Sequence, residues 1–260
     1  MPTLEIRLKL FGEEHASAAD SYHNLGVSHH SLGDFKAALD SLQHALQIRL
    51  KLFGEEHAST ADSYYNLGVT HHSLGDFKAA LDSLQHALEI RLKLIGEEHA
   101  STARSYNNLG ATQLSLEDFN AALCSFQLAL NIRLKLFGEE HPSTADSYNI
   151  LGATQRSLGY FHGAVCSFQH AFDIRFKLFG EEHASTADSY NNLGATQRSL
   201  GDLNAALESL GHAVQIRLNL FGEEQERTAD SLDGLALTQP FLGDWEGATE
   251  SAELTPPSPD

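Results

Sequence analysis

The triplet Gly-Glu-Glu begins at Gly12, Gly54, Gly96, Gly138, Gly180 and Gly222, a step of 42 residues with no insertion. A fixed period constrains the fold more than any bulk property. Each unit must be one small supersecondary element that buries its faces against copies of itself. Residues 16–57 and 58–99 differ at only five positions: Ala18/Thr60, His23/Tyr65, Ser28/Thr70, Gln47/Glu89 and Phe53/Ile95. Full units run 16–57, 58–99, 100–141, 142–183 and 184–225. Residues 3–10 match the end of a unit and are expected to cover the first full one. A shortened sixth unit, 226–254, keeps the pattern at Trp245 and Ala248, with Pro240 late in its first helix. The Pro-rich tail 255–260 is expected to be disordered. The expected domain is one repeat array over 1–254.

Each unit reads as two helices. In 184–225, Tyr190, Leu193, Gly194 and Gln197 fall at helical spacing and form an inward stripe. Gly201 suits the left-handed residue that ends a helix, and Asp202 suits the N-cap of the next. The second helix carries Leu203, Ala206, Leu207, Leu210, Ala213, Val214, Ile216, Leu218 and Leu220, and Phe221-Gly222 ends it. Gly194, Ala206 and Ala213 recur in nearly every unit, so they read as close helix contacts. Stacked pairs bury what one pair cannot, which makes an all-α solenoid.

Composition excludes some partners. The net charge of -18 argues against nucleic acid and anionic membrane surfaces, which need clustered Lys and Arg. No stretch approaches the ~20 apolar residues of a membrane span. The start Met1-Pro2-Thr3-Leu4-Glu5 is not a secretory signal. The two cysteines, Cys124 and Cys166, lack metal or redox spacing and are expected to be buried small apolar residues. Stacked ~10 Å apart, they exceed the ~7 Å Cα limit of a disulfide. The expected setting is cytoplasmic.

The pattern Tyr190-x-x-Leu193-Gly194-x-x-Gln197, Gly201-Asp202-Leu203-x-x-Ala206, Leu210-x-x-Ala213 resembles the tetratricopeptide repeat. The 42-residue period and the segments "ALEIRLKLIGEEHASTA" and "ALNIRLKLFGEEHPSTA" are similar to the kinesin light chain and nephrocystin-3 type. Glu117 stands in place of the turn glycine, and Ile150 in place of an asparagine. His29 and His71 stand where the family often has an aromatic. The resemblance implies a right-handed superhelix whose first helices line a concave groove. It also implies a noncatalytic scaffold that binds an extended peptide of a protein partner. The alternative is an architectural module that self-associates through its terminal repeats, or the sensor segment of a larger receptor chain.

With Tyr190, Leu193 and Gly194 inward, a second stripe on the same helix is Asp188, Asn191, Asn192, Ala195 and Arg198. The groove then carries an asparagine ladder: Asn24, Asn66, Asn108 and Asn192, joined by Asn107, Asn149 and Asn191. An amide both donates and accepts, so it can hold a peptide backbone of any sequence. It can equally bridge adjacent first helices. Variable positions would set specificity. His23, His30, Tyr65 and His72, with Val27 and Val69, make the first two units aromatic and apolar. Arg104 and Leu114 follow, then Arg156 and Arg198 with Ala153 and Ala195. An acidic portion of the partner would meet those arginines, unless they pair with Asp146 and Asp188.

Asp20, Asp62, Asp146, Asp188 and Asp230 read as helix N-terminal charge, in a Ser-x-x-Asp capping box with Ser17, Ser59, Ser143 and Ser185, or as an acidic stripe. The Gly-Glu-Glu-His connections form a solvated acidic ridge. Their histidines, His15, His57, His99, His141 and His183, sit in open loops that cannot close on one metal ion. His29 and His71 are expected to pack between helices. No nucleophile triad, phosphate loop or dinucleotide fingerprint is present, so no enzyme activity, cofactor or metal is expected.

Overall fold

The computed structural model describes residues 2–222 and 226–239. Among the described residues the chain is all helix: α1 Pro2–Phe11, α2 Ala16–Ser31, α3 Phe35–Phe53, α4 Ala58–Ser73, α5 Phe77–Ile95, α6 Ala100–Ser115, α7 Phe119–Phe137, α8 Pro142–Ser157, α9 Phe161–Phe179, α10 Ala184–Leu200, α11 Leu203–Phe221 and α12 Glu226–Ala236. Pro240, Trp245, Ala248 and the tail from residue 255 lie outside them, as does the side chain of Leu4. The residues gather into two compact units, Met1–Leu136 and Phe137–Asp260.

Helix starts correct one expectation. The cap of α2, α4, α6, α8 and α10 is the connection's histidine, not a serine. The Nδ1 atoms of His15, His57, His99, His141 and His183 accept the N–H of Ser17, Ser59, Ser101, Ser143 and Ser185 at 3.0–3.2 Å. The serine lies inside the helix, and the ring of His57 stacks on Phe53 of the preceding helix at 4.4 Å. A histidine cap satisfies an orphan donor, as serine would, and adds a ring that packs the connection. Pro142 takes the first helical position, where its missing N–H costs nothing.

Second helices start as the sequence implies. Asp34, Asp76, Asp118 and Asp202 accept from the backbone three residues on. Tyr160 replaces that aspartate in the fourth repeat and makes no side-chain cap. Gly201 is left-handed, with φ 84° and ψ 7°. Glu117 adopts the same left-handed region at φ 61°, the one non-glycine residue there among the described residues.

The inward stripe packs as expected. Leu193 and Gly194 are buried. A Cβ on Gly194 would lie 2.7 Å from Leu210 Cγ and 3.1 Å from the Ala206 carbonyl oxygen, so glycine sets the closeness of α10 and α11. Gly26 and Gly68 meet Leu42 and Leu84 in the same way in the first unit. Gln197 accepts the Ser209 hydroxyl at 2.8 Å, joining the two helices of its repeat by a polar contact.

α1 behaves as the end of a second helix. Arg7 donates to the Ser17 carbonyl and Ser21 hydroxyl, at the offsets of ten and fourteen residues that Arg49 uses toward Ser59 and Ser63.

Candidate peptide-binding face

Within the first unit the first helices touch directly, α2 with α4 and α4 with α6. In the second, α8 meets α10 and α10 meets α12. No such contact joins α3 to α5 or α9 to α11 among the described residues. In each unit the side with the tighter spacing is the inside of the curve, and the first helices line it.

The asparagines divide into two groups. Asn108 Nδ2 donates to the Tyr65 hydroxyl of the preceding repeat. In the second unit Asn192 Nδ2 donates to Asn149 Oδ1 at 2.9 Å, and Asn191 Oδ1 accepts the Ser231 hydroxyl at 2.8 Å. These amides bridge neighbouring repeats. Asn66 instead donates to the Asp62 carbonyl of its own helix at 2.8 Å. The side chains of exposed Asn24 and half-buried Asn107 form no hydrogen bond among the described residues.

The aromatic and histidine positions also separate. Tyr65 is buried, with its ring between the guanidinium groups of Arg91 and Arg104 at 4.5 and 4.8 Å. It is a packing residue with one hydroxyl committed to Asn108. His23 lies against Arg49 at 3.2 Å, and burial first, then Arg49, holds its pKa below the ordinary histidine value. His30 and His72 are half-buried. Each ring contacts the hydroxyl of Ser73 or Ser115 one repeat on, at 3.1 and 3.3 Å. His29 and His71 are half-buried too, 3.9 Å from Asp34 and Asp76.

Two small clefts lie on this face in the first unit. One, of about 30 Å³, is lined by Val27, His30, Leu42, Asn66, Val69 and Thr70. The other, of about 70 Å³, has the counterparts of all six one repeat later, among them His72, Asn108 and Ala111. The only change of residue type is Ala111 for Val69, and the cleft with the smaller side chain is the larger.

In the second unit Arg156 is half-buried, 5.7 Å from the Phe168 ring centroid. Burial, and then the nearby Arg198, hold its pKa below the ordinary guanidinium value. Arg198 reaches the Gly234 carbonyl at 3.4 Å. Neither pairs with a carboxylate among the described residues. Asp146 and Asp188, the partners that the sequence offers, are taken by Arg175 and Arg217 at 3.0 and 2.7 Å.

That pairing overturns the capping-box reading of the aspartates. Asp20, Asp62, Asp146 and Asp188 bind arginines 29 residues later, on the second helix of the same repeat. Arg49, Arg91 and Arg217 are buried and also donate to serines of the following repeat. One guanidinium thus joins two repeats and donates to several acceptors at once. The sequence signal was an arginine after the core isoleucine in every "IRL" or "IRF", recurring with the period; a charged residue inside a buried stripe needs a partner.

Two further expectations change. Cys124 and Cys166 are exposed. Their counterparts in the other full repeats are Asp40, Asp82 and Glu208, which already mark a solvent position. The acidic ridge is partly neutralised, since Glu14, Glu56, Glu98 and Glu140 pair with Lys51, Lys93, Lys135 and Lys177. Both partners of each pair are exposed, so each pair adds little stability. No group of metal-ligating side chains occurs among the described residues.

These features define a class: an array of repeated helical pairs, each unit with its own packed core and a face lined by first helices. The tetratricopeptide repeat pattern matches residues 2–51, 30–93, 59–135, 144–185, 167–219 and 185–254. The chain belongs to the tetratricopeptide repeat family, with repeats of the kinesin light chain type. The fold is similar to BtubC from P. vanneervenii (20% identity, 87% of this chain and 95% of that one, TM-score 0.72). It is similar also to a kinesin light chain-type protein of nearly identical TPR-like repeats from Podosopora anserina (24% identity, 80% and 98%, TM-score 0.73). A signal-transduction ATPase of Pyrococcus horikoshii with a tetratricopeptide repeat sensor matches over 96% of this chain but 38% of its own (16% identity, TM-score 0.79). No curated protein matches the sequence. The family fold is that of a protein–protein interaction scaffold and is generally noncatalytic. No helix among the described residues is long and apolar enough to cross a membrane.

Proposed function

We propose that the first-helix face binds an extended peptide segment of a protein partner. The observation that carries this reading is the pair of equivalent clefts, each with an apolar floor and a histidine–asparagine rim. Clefts one repeat apart, ~10 Å, match about three residues of an extended chain at ~3.3 Å each. Small apolar side chains of the peptide fill the floors. Amides with no partner among the described residues, at Asn24 and Asn107, hold its backbone.

An acidic portion of the partner meets Arg156 and Arg198. Arg156, held below its ordinary pKa first by burial and then by the nearby Arg198, and Arg198 itself, neither paired with a carboxylate among the described residues, favour an anionic partner. R156E/R198E should then abolish binding of an acidic segment.

The test is peptide selection from a random library, followed by affinity measurement against Ala111→Leu. The larger side chain fills the ~70 Å³ cleft from a half-buried position. Selected peptides should bind the variant at least about tenfold more weakly, the loss of one buried aliphatic contact. Equal affinity would remove the cleft from the reading.

A further inference from the structure

Two larger clefts of the first unit lie elsewhere, between the Gly-Glu-Glu connections and the second helices. One, of about 390 Å³, is bounded by Glu13 and Glu14 from the α1–α2 connection, Tyr22 of α2, and Ile48, Leu50 and Lys51 of α3. The second, of about 380 Å³, repeats every lining position two repeats further on, from Glu97 and Tyr106 to Ile132 and Lys135. The two clefts therefore occupy the same register two repeats apart, and no residue of the peptide face lines them.

Six of the eight lining positions keep the same residue, while His44 and Gln47 of the first cleft become Leu128 and Asn131 in the second. Isoleucine, leucine and a tyrosine ring supply an apolar wall. At the rim, Lys51 is bound by Glu14 at 2.7 Å, and Lys135 by Glu98 at 2.7 Å. Glu13 and Glu97 have no ion pair among the described residues, so each cleft keeps one net negative charge. Glu97 sits close enough to Tyr106 to help burial, the larger cause, raise the pKa of its phenol. In the second cleft carboxylate and aromatic ring thus lie beside each other, next to Leu128, Ile132 and Leu134, while in the first the Tyr22 ring is stacked on His44 at 5.3 Å. That combination fits a side chain with a long apolar stem and a cationic end.

We propose that the two clefts form one docking site for a basic segment of a protein partner, each taking one arginine or lysine side chain. Charge complementarity favours this occupant: the chain carries a net charge of -18, and its connections place a second glutamate beside the one that is paired. Two repeats separate the clefts by about 20 Å. An extended segment at ~3.1 Å per residue would span that distance in about six residues.

The probe is a fluorescein-labelled peptide, Arg-(Pro)5-Arg, read by fluorescence anisotropy at low salt. It should bind saturably, and more tightly than Arg-(Pro)2-Arg, which can fill only one cleft. E13Q/E97Q removes two exposed carboxylates and should weaken binding about tenfold, since each exposed ion pair contributes a few-fold. The same variant should keep its affinity for peptides selected on the first-helix face, and A111L should keep its affinity for the arginine peptide. The proposal is overturned if Arg-(Pro)5-Arg does not bind, if E13Q/E97Q binds it as well as the parent, or if the short peptide binds equally. Loss of the arginine peptide on A111L with E13Q/E97Q unaffected would place that peptide on the first-helix face instead.

Discussion

Asn107 and Asn108 are neighbours on α6, and the structure gives them different work. Asn108 Nδ2 donates to the hydroxyl of Tyr65, a residue only 9% exposed. Asn108→Ala deletes that bond and leaves a tyrosine hydroxyl short of a partner, costing about 1–2 kcal/mol. Alanine returns about 0.5 kcal/mol as the better helix former. The net loss is then about 0.5–1.5 kcal/mol. Asn107 has no bond to lose among the described residues, so Asn107→Ala should be neutral or stabilising by up to about 0.5 kcal/mol. Urea denaturation followed by circular dichroism measures both. Against a selected peptide the order reverses in meaning: Asn107→Ala should weaken binding about tenfold, by about two hydrogen bonds, with no stability loss to confuse the result. If Asn107→Ala destabilises the fold as much as Asn108→Ala, the division of the asparagines is wrong. If it leaves peptide affinity untouched, this rung is architectural.

Three other outcomes follow from particular contacts. Glu117→Gly should stabilise by about 0.5–1 kcal/mol, since relief of a left-handed penalty of about 1–2 kcal/mol exceeds the added freedom of the unfolded chain; a lower thermal midpoint would contradict this. Gly68→Ala should destabilise by about 1–3 kcal/mol through overpacking. Its Cβ would lie 2.6 Å from Leu84 Cγ, inside a fully buried contact. An unchanged denaturation midpoint would mean the helices separate freely. His23 is held neutral by burial and Arg49, so the unfolded chain binds its proton more readily. Its contribution is complete above the unfolded value of ~6.5 and declines as pH falls below it. His23→Tyr should flatten the loss of stability between pH 7 and pH 5, and an unchanged slope would refute the assignment.

The sequence by itself determined the period, the two helices of each repeat, the left-handed turn at Gly201, and the close approach at Gly194. These are local or strictly periodic properties: helical spacing shows which face of one helix is apolar, and a repeat copies the answer. That Val27, His30, Asn66 and their counterparts share one face of the first helices was also legible, because they keep one register. What each does was not. Asn108 and Asn107 differ only in whether a tyrosine lies within reach, and that tyrosine is 43 residues away. The arginine–aspartate–serine joints span 29 and 14 residues. The distances of the arginine joints are set by how one repeat stacks on the next, whereas the histidine caps are local and form at His99, where Ile95 stands in place of the phenylalanine, as well as at His57 over Phe53. Hydrogen bonds and ion pairs act over a few ångströms, so only the tertiary structure decides which polar residues are spent on the fold and which remain for a partner.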